Sequence, residues 1–324
     1  MEKRELGRSG IEVSRVILGC GNFGGVGSAP AFFGQGESDR EAFAIMDAAW
    51  DLGITAFDTA DAYGGGRSEL AIGRWVRTKS SEVRDKLVLT TKTFNPMAEG
   101  ADRGLSRSRI LRQIDTSLER LGLERVPLYM AHAWDPDTRL EETVLALDEL
   151  VRDGKVGAVG GSNFTGRQLA EAVEISGLEG LARLEWAQNP YSLLDRDAEE
   201  SVLPVCREHG LGFAPFGPLC GGWLTGKYER GREPPVGSRM ATRPGPYLHL
   251  VEDRVFDGLE AFSVEARERG VSKAALALAW VLSHPDVTAA VLGPRRPAHL
   301  DPVREALALD LSPAERDSLG ALFP

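Results

Sequence analysis

The sequence predicts an α/β protein, a (β/α)₈ barrel of the TIM type in which residues 1–324 form one domain. Short apolar and β-branched runs alternate with amphipathic stretches along almost the whole chain, and there are eight such units. No change in composition divides them. Strands that alternate with helices form a parallel sheet, and eight uninterrupted units favour a closed barrel over an open sheet.

Each predicted strand is a short apolar run, and each predicted helix carries apolar residues on one face. The eight strands are residues 15–18, 56–58, 87–91, 128–131, 157–160, 184–187, 212–215 and 287–292. The seven helices are residues 39–52, 69–78, 106–121, 140–153, 167–175, 198–209 and 272–283. In the third helix, Ile110, Ile114 and Leu118 recur at four-residue steps, which places them on one side.

Three segments lie outside these units. Residues 2–6 and 12–14 flank Ser9-Gly10 and predict an N-terminal β-hairpin that closes the barrel floor. Residues 226–254 are rich in Gly, Pro and Arg and long for a βα loop, so we expect a mobile cover. The C-terminal extension from Pro297 predicts helix, loop and helix, with Ser312 as the N-cap of the second.

Composition and charge exclude several classes of protein. The formal net charge of −10 argues against a nucleic-acid partner, because phosphates require a basic surface. The N-terminus lacks an apolar signal core, and no apolar stretch approaches the roughly 18 residues of a membrane span. We therefore expect a cytoplasmic protein without a membrane partner, and a monomer by default. Three cysteines with neither disulfide nor metal-ligand spacing are expected to be small buried residues, and no metal site is predicted.

A doubly wound nucleotide-binding domain is the alternative fold. Gly19-Cys20-Gly21 follows a predicted strand, but Gly24 and Gly25 lead into a loop and not into a helix. The dinucleotide fingerprint needs a helix whose N-terminus faces the pyrophosphate, so this alternative is disfavoured.

Four polar residues stand at predicted strand ends, where barrel enzymes build their active sites. Asp58 ends the second strand, Lys92 follows the third and His132 follows the fourth. Tyr63 lies five residues after Asp58 on the same loop. The aspartate, the lysine and the histidine each have an ordinary explanation when taken alone: a helix cap, a solvated surface charge and a structural residue. Because a barrel brings its strand ends to one mouth, their joint occurrence predicts a catalytic site.

These residues and several longer motifs closely resemble the aldo-keto reductases. The family's Asp-Thr-Ala-x-x-Tyr-Gly motif is matched by residues 58–64, and its catalytic lysine and histidine by Lys92 and His132. Further matches follow in the family's order: Gly161-Ser162-Asn163-Phe164, Gln188-Asn189-Pro190-Tyr191 and residues 221–228. The resemblance covers nearly the whole chain and implies NADPH-dependent reduction of an aldehyde or ketone.

The resemblance also implies a role for each of the four residues. Tyr63 would donate the proton to the developing alkoxide while a hydride reaches the carbonyl carbon. A free tyrosine has a pKa of about 10, so we expect Lys92 to lower the pKa of Tyr63. Asp58 would keep the lysine charged, and His132 would donate to the carbonyl oxygen.

A dinucleotide is expected to lie across the barrel mouth. The resemblance places its contacts at Gly21, Asn22, Ser162, Asn163, Gln188, Phe216, Gly217, Leu219, Gly221, Lys227, Gly293, Arg295, Arg296 and His299. The side chains of Ser162, Asn163 and Gln188 suit the nicotinamide carboxamide, and the ring of Phe216 can stack on the nicotinamide.

NADPH is favoured over NADH as that cofactor. Arg295 and Arg296 precede a helix start at Pro297, and arginine beside a helix N-terminus suits a 2′-phosphate. Pro302-Val303 stands where the family has Glu-Asn, so adenine recognition must differ.

The substrate is expected to be a small carbonyl compound or alcohol with an apolar or flat body. The predicted pocket wall is aromatic and consists of Phe23, Phe33, Trp134 and Tyr191. Two other functions stay open. One is a lyase in which Lys92 forms a Schiff base, and the other is a cofactor-binding regulatory subunit with little turnover.

Overall fold

A computed structural model describes residues 1–323, and it confirms the predicted parallel barrel. The strands are β1 (Lys3–Glu5), β2 (Glu12–Ser14), β3 (Val16–Gly19), β4 (Ala56–Asp58), β5 (Val88–Thr93), β6 (Val126–Ala131), β7 (Val156–Ser162), β8 (Leu184–Gln188), β9 (Gly212–Phe213) and β10 (Ala290–Leu292). The eight strands β3 to β10 form one sheet in the order β10-β3-β4-β5-β6-β7-β8-β9. Each of the eight predicted strands is present, with ends shifted by a few residues.

The two edges of this sheet meet. The amide of Val291 donates to the carbonyl of Pro215 at 2.8 Å, and that of Thr288 donates to Phe213 at 2.8 Å. Phe216 also pairs with Val291 in a parallel bridge. These bonds join β9 to β10 and close the sheet, so its backbone groups are paired all the way round.

Side chains inside the barrel alternate with side chains that face the outer helices, as the two-residue period of a strand requires. The interior group packs in one cluster that includes Ile17, Ala56, Leu128, Met130, Ala158, Trp186, Ala214, Ala289 and Val291. Their neighbours along the strands, such as Phe57 and Tyr129, belong to the larger core between strands and helices. The interior is therefore filled, and the functional space lies at the end of the barrel.

The helices pack around the outside of the barrel. They are α1 (Asp39–Asp51), α2 (Arg67–Arg77), α3 (Ser81–Lys86), α4 (Arg107–Leu121), α5 (Leu140–Arg152), α6 (Gly166–Glu179), α7 (Asp197–Ser201), α8 (Leu203–His209), α9 (Arg239–Thr242), α10 (Asp253–Glu268), α11 (Lys273–Leu282), α12 (Asp301–Ala308) and α13 (Pro313–Gly320). The sequence did not predict α3, α9 or α10. The predicted helix 198–209 is two helices, because Pro204 lacks an amide proton and obstructs a continuous turn.

The N-terminal hairpin lies under the barrel, as predicted. Leu6 and Val13 pack with the interior cluster and cover its lower end. Gly7 has a φ of 64°, and a Cβ there would lie 2.0 Å from the carbonyl oxygen of Glu185. Glycine is therefore needed where the hairpin approaches β8.

The C-terminal extension is also confirmed. A 3₁₀ turn at Pro297–Leu300 leads into α12, and α13 follows. Ser312 caps α13 in a capping box with Glu315. The three cysteines are buried and free, and no helix within residues 1–323 is long and apolar enough to cross a membrane.

Residues 226–254 do not form one irregular loop. They contain α9 and a 3₁₀ helix at Gly245–Leu250. Arg239 donates to the side chain of Asn22 at 2.9 Å, and Arg295 donates to the carbonyl of Gly237 at 2.8 Å. The segment is docked against the loops at the barrel mouth, and its mobility stays a prediction.

Candidate active site

The strand alternation turns the predicted catalytic residues toward one another. Asp58 follows the interior residue Ala56 by two positions, and His132 likewise follows Met130, so each continues the inward-facing row. Tyr63 begins a 3₁₀ turn directly after β4. The structure brings all four predicted residues together at the C-terminal end of the barrel.

The buried lysine is held by Asp58 and by a backbone carbonyl. Lys92 Nζ donates to Asp58 Oδ1 at 2.5 Å and to the carbonyl of Thr59 at 2.9 Å. Gln188 Nε2 donates to Asp58 Oδ2 at 3.0 Å, so both oxygens of that carboxylate are engaged. Burial would lower the pKa of Lys92, but the Asp58 carboxylate and the hydrogen-bonded Tyr63 oxygen outweigh it and raise the pKa. The lysine is therefore a cation, as expected from its aspartate partner.

The Tyr63 hydroxyl lies between the lysine and the histidine. It is 3.4 Å from Lys92 Nζ and 3.4 Å from His132 Nε2. Burial raises the pKa of Tyr63, and Lys92 only partly opposes this effect. Lys92 therefore acts in the predicted direction, but burial of the hydroxyl has the larger effect on this pKa. Tyr63 holds its proton at neutral pH, which is the state a proton donor requires.

His132 is neutral, and its orientation is set by a neighbour. Burial and the charge of Lys92 lower the pKa of His132 well below its usual range. Asn95 Nδ2 lies 3.3 Å from His132 Nδ1. An amide nitrogen can only donate, so with this side-chain orientation Nδ1 accepts and Nε2 carries the proton. That proton points to the space beside the Tyr63 hydroxyl.

Asn95 is itself held by a buried arginine. Arg109 is 1% exposed and donates to the carbonyl of Asn95 at 2.7 Å and to Thr93 Oγ1 at 2.5 Å. The guanidinium therefore fixes the loop after β5 and, through it, the amide that contacts His132.

A cavity of about 480 Å³ opens directly above these residues. Its walls include predicted catalytic and cofactor residues, namely Tyr63, His132, Ser162, Asn163, Gln188 and Phe216. The remaining wall residues are Gly27, Ser28, Ala29, Pro30, Asn95, Pro96, Ala133 and Arg243. Asn163 also donates to the carbonyl of His132 at 2.9 Å, so it supports the loop that carries the histidine.

None of the four aromatic residues predicted to contact substrate lines this cavity. Phe23 and Tyr191 are fully buried in the core between strands and helices, which corrects their placement. The hydroxyl of Tyr191 donates to Glu199 at 2.5 Å and also contacts Arg316, far along the chain in α13. Phe33 and Trp134 are partly exposed in loops, and Trp134 packs edge-on against Phe164. Substrate contact by these two stays a prediction.

A group of cations lies beside the cavity, at the predicted phosphate contacts. Partial burial and the charges of Arg239, Arg295 and Arg296 lower the pKa of Lys227. Burial and the charges of Arg296, Lys227 and Arg295 likewise lower the pKa of His299. Glu37 faces this group and accepts from Arg295 at 2.6 Å. We name Lys227, Arg239, Arg295 and Arg296 the cation cluster, and its mutual repulsion suits an anionic ligand.

The other predicted cofactor residues surround the same region. A Cβ on Gly21 would lie 3.5 Å from the Tyr63 ring, and Gly293 lies near the Asn22 side chain. Gly222 has a φ of 93°, and a Cβ there would lie 2.2 Å from Lys227 Cε. Glycine at this position therefore lets the lysine lie across the turn formed by Cys220–Thr225. Three predicted cofactor residues belong to the same stretch of chain: Gly217 and Leu219 precede this turn, and Gly221 lies within it.

Sequence reasoning missed Asn95, Arg239 and Arg243. Asn95 lies three residues after Lys92, within the same strand end, and this proximity was the available signal. The two arginines belong to residues 226–254. The segment is rich in arginine, but the sequence does not indicate which of its arginines face the site.

The chain is similar to known proteins over almost its whole length. The model of the Aldo/keto reductase family matches residues 15–322. The uncharacterized oxidoreductase YrpG of Bacillus subtilis (strain 168) is 37% identical over 333 aligned positions, covering 100% of this chain and 96% of the relative. The L-glyceraldehyde 3-phosphate reductase of Escherichia coli (strain K12) is 35% identical, covering 95% and 88%. A putative voltage-gated potassium channel subunit beta of Schizosaccharomyces pombe is 34% identical, covering 92% and 85%.

The family match and the site agree with each other. The matched region contains the buried Asp58–Lys92 pair, Tyr63 and His132, which the barrel brings to one mouth. This chain therefore belongs to the aldo/keto reductase family of oxidoreductases.

Proposed function

We propose that the protein is an NADPH-dependent reductase of aldehydes or ketones, with Tyr63 as the proton donor. The observation that carries the proposal is the position of the Tyr63 hydroxyl, 3.4 Å from both Lys92 Nζ and His132 Nε2 at the wall of an open cavity. A carbonyl oxygen placed there can accept from Tyr63 and from His132 Nε2–H together.

Reduction adds a hydride to carbon and a proton to oxygen, and NADPH would supply the hydride when bound. The chain's residues handle the proton. Two donors on the carbonyl oxygen stabilise the negative charge that develops on it. As that charge grows, the proton moves from the Tyr63 hydroxyl to the oxygen. The nearby Lys92 ammonium then stabilises the phenolate, and Asp58 keeps the ammonium in place. Such acid–base help contributes about 10²–10⁴ in rate.

The residues present fit a phosphorylated dinucleotide. The cation cluster combines cations whose charges oppose one another, and a pyrophosphate and a 2′-phosphate would relieve that repulsion. Ser162, Gln188 and Phe216 line the cavity beside Tyr63, so they can hold the nicotinamide ring next to the proton donor. NADPH is preferred to NADH because only NADPH carries the additional phosphate.

Two other functions, a Schiff-base lyase and a regulatory subunit, have less support. A Schiff-base lyase needs a neutral lysine, but the Asp58 partner raises the pKa of Lys92 and keeps it charged. A regulatory subunit is suggested by the relative named as a potassium channel subunit beta. The complete set of Asp58, Tyr63, Lys92 and His132 favours an enzyme, and turnover decides between the two.

The test is NADPH consumption with a panel of aldehydes and ketones, followed by Tyr63→Phe. The variant keeps the ring and loses the proton, so kcat should fall by about 10²-fold or more. NADPH affinity, measured by fluorescence titration, should stay within about twofold of wild type. Absence of turnover across the panel, with intact NADPH binding, would favour the regulatory subunit. Retention of more than a few per cent of turnover in the variant, with chemistry rate-limiting, would remove Tyr63 from the proton-donor role.

A further inference from the structure

Arg243 is a cation in the wall of the catalytic cavity. It lies just after α9, within residues 226–254, and shares the cavity wall with Tyr63 and His132. Its guanidinium lies 5.5 Å from the centre of the Phe32 ring, and Nη1 makes a long contact of 3.5 Å with the carbonyl of Val26. A guanidinium has five N–H donors, so one that lies beside a ring and makes a single carbonyl contact still has donors for an anionic group.

The cavity around Arg243 contains no acid. The described lining residues are glycine, alanine, proline, phenylalanine and neutral polar residues together with Tyr63, His132 and Arg243, and none is Asp or Glu. No carboxylate in residues 1–323 forms an ion pair with Arg243, whereas Arg230, Arg232 and Arg254 of the same segment each have one. An arginine without a counter-ion in the wall of a cavity attracts an anionic group more strongly than a fully solvated arginine.

The phosphates of a dinucleotide have other partners. The charges of Arg295 and Arg296 lower the pKa of Lys227, and the charges of all three cations lower the pKa of His299. These cations therefore lie close together. Arg243 lies close enough to Arg239 for its charge to help lower the pKa of Arg239. Arg243 nevertheless lines the cavity that contains Tyr63 and His132, and no member of the cation cluster lines it. The charge of Arg243 is therefore placed for the part of the ligand that lies near the proton donor.

We propose that Arg243 binds an anionic group on the substrate, so that the preferred substrates are aldehydes or ketones that also carry a carboxylate or a phosphate. This inference rests on the proposed reductase function for its substrate, but the anion site can be tested by binding alone. Arg243 would determine specificity, and it takes no part in moving the proton.

The test compares 4-formylbenzoate with 4-formylbenzamide, which have nearly the same shape and differ in charge. Wild-type kcat/KM should favour the carboxylate, and Arg243→Met should reduce kcat/KM for it by about tenfold or more. The amide should change by no more than about twofold. Arg243→Lys keeps the charge and should recover part of the preference. DL-glyceraldehyde 3-phosphate against DL-glyceraldehyde repeats the comparison for a phosphate.

Arg232→Met is the matched control. Arg232 lies in the same segment, is exposed and pairs with Glu229 outside the cavity, so this variant should behave as wild type. Binding of 4-formylbenzoate and of 4-formylbenzamide is also measured by calorimetry with NADP⁺ present, where no reduction occurs. The binding measurement tests the anion site even if the protein reduces neither aldehyde. Failure to reduce both aldehydes would count against the proposed reductase function and not against the anion site.

Three results would overturn the inference. Equal losses for the carboxylate and the amide would give Arg243 a packing role. A fall in NADP⁺ or NADPH affinity that accounts for the whole effect would make Arg243 a cofactor contact. Equal wild-type affinity for the carboxylate and the amide would show that the cavity does not select for charge.

Discussion

At the scale of single residues, the geometry around His132 depends on which ring nitrogen carries the proton. The imidazole is neutral, because burial and Lys92 lower its pKa. A neutral imidazole donates from one nitrogen and accepts at the other, and the partner of one nitrogen fixes both. Here Asn95 Nδ2 faces Nδ1 at 3.3 Å, and Arg109 anchors the Asn95 backbone. Asn95 is thus a positioning residue for the donor at Nε2.

Asn95→Asp should be more damaging than Asn95→Ala, although Asp has almost the same shape as Asn. A carboxylate accepts hydrogen bonds, so it draws the proton to Nδ1 and leaves Nε2 as an acceptor facing the carbonyl oxygen. Loss of one such donor costs about 10²-fold in kcat. Alanine leaves the tautomer unfixed and should cost less. The kcat of both variants, measured near pH 8, gives the comparison.

The pH profile separates this role from simple packing. At low pH the Asp variant should protonate both imidazole nitrogens, so its activity should recover as pH falls, and the Ala variant should show no such recovery. Nitrogen NMR of the imidazole rings should report Nε2–H for His132 in wild type and Nδ1–H in Asn95→Asp. If the two variants lose the same activity at every pH, Asn95 does not control the tautomer.

The buried side chain of Asp61 is expected to make the stability of the protein depend on pH. Its side chain is fully buried, and burial raises its pKa to about 7, with Glu69 adding to the effect and Thr93 and Arg109 opposing it. An unfolded aspartate ionises near pH 4. Between about pH 4 and pH 7 the folded chain therefore binds more protons than the unfolded chain at this position. The contribution of Asp61 to stability is largest at low pH and is lost as pH rises through this window.

Asp61→Asn should remove this pH dependence. The amide oxygen can still accept from Thr93 Oγ1, which now donates to Asp61 Oδ2 at 2.7 Å. Urea unfolding of both proteins at pH 5 and pH 8 provides the test. Wild type should lose more unfolding free energy than the variant between the two pH values. Parallel losses would mean that Asp61 is ionised in the folded protein throughout this range.

Residue-level prediction from sequence succeeded where the strand period fixes the direction of a side chain. Asp58 and His132 point inward because each follows an interior residue by two. Phe23 and Tyr191 were misplaced because an aromatic residue near a strand end can turn either to the mouth or to the outer core. Their loops turn both rings to the outer core between strands and helices, and loop conformation depends on distant contacts such as that of Tyr191 with Arg316. No local pattern in the sequence reports those contacts.

At the scale of elements, the turn before α12 carries Arg295 and Arg296 in different surroundings. Arg295 is committed to Glu37 and to the carbonyl of Gly237, so it ties residues 226–254 to the barrel loops. Arg296 is exposed at the start of the 3₁₀ helix Pro297–Leu300. The two residues are therefore expected to differ in function, although they are adjacent in sequence.

Arg296→Ala should weaken NADPH binding about tenfold and leave NADH binding nearly unchanged. The reason is that the variant loses a charge-assisted contact with the 2′-phosphate, and only NADPH carries that phosphate. Arg295→Ala should weaken both cofactors, since it also releases Gly237. Arg304→Ala, on the exposed side of α12, serves as the control. Fluorescence titration with each cofactor measures the effect. An equal loss for NADH and NADPH in Arg296→Ala would contradict a phosphate contact there.

A strand or helix can be predicted from sequence when its apolar pattern differs clearly from that of the residues on either side. The barrel strands are short apolar runs between turns, and all eight were found. In α10 the apolar spacing was also present, since Val255, Leu259 and Phe262 are buried on one face. The preceding Gly- and Pro-rich residues concealed where that helix begins. The short helix α9 has four residues, and its position depends on tertiary contacts such as that of Arg239 with Asn22.

At the scale of the whole molecule, the barrel and residues 226–254 are stabilised in different ways. The barrel is a closed sheet around a filled interior. Residues 226–254 contribute only Tyr228, Met240 and Leu250 to the buried core among the described residues. Polar contacts also join the segment to the barrel, including Arg239 with Asn22 and Tyr228 with the carbonyl of Gly221 at 3.2 Å. Segments with few buried apolar contacts open at lower free energy than cores. Charge repulsion within the cation cluster further weakens the attachment of this segment.

An anion should therefore tighten residues 226–254, which we expect to act as a cover. NADPH, the proposed cofactor, would bring phosphates to the cation cluster, and the loss of repulsion would offset the entropy of ordering the segment. Hydrogen exchange with and without NADPH should show increased protection at residues 227–232 and near Arg239, with little change in the barrel strands. Adenosine 2′,5′-bisphosphate, which supplies phosphates without nicotinamide, should produce part of this protection, and 150 mM added salt should reduce it by screening. Strong protection of the segment before any ligand is added would instead identify a rigid insertion. In that case the gating role must be abandoned, while the roles of Tyr63 and Lys92, which do not depend on this segment, would stand.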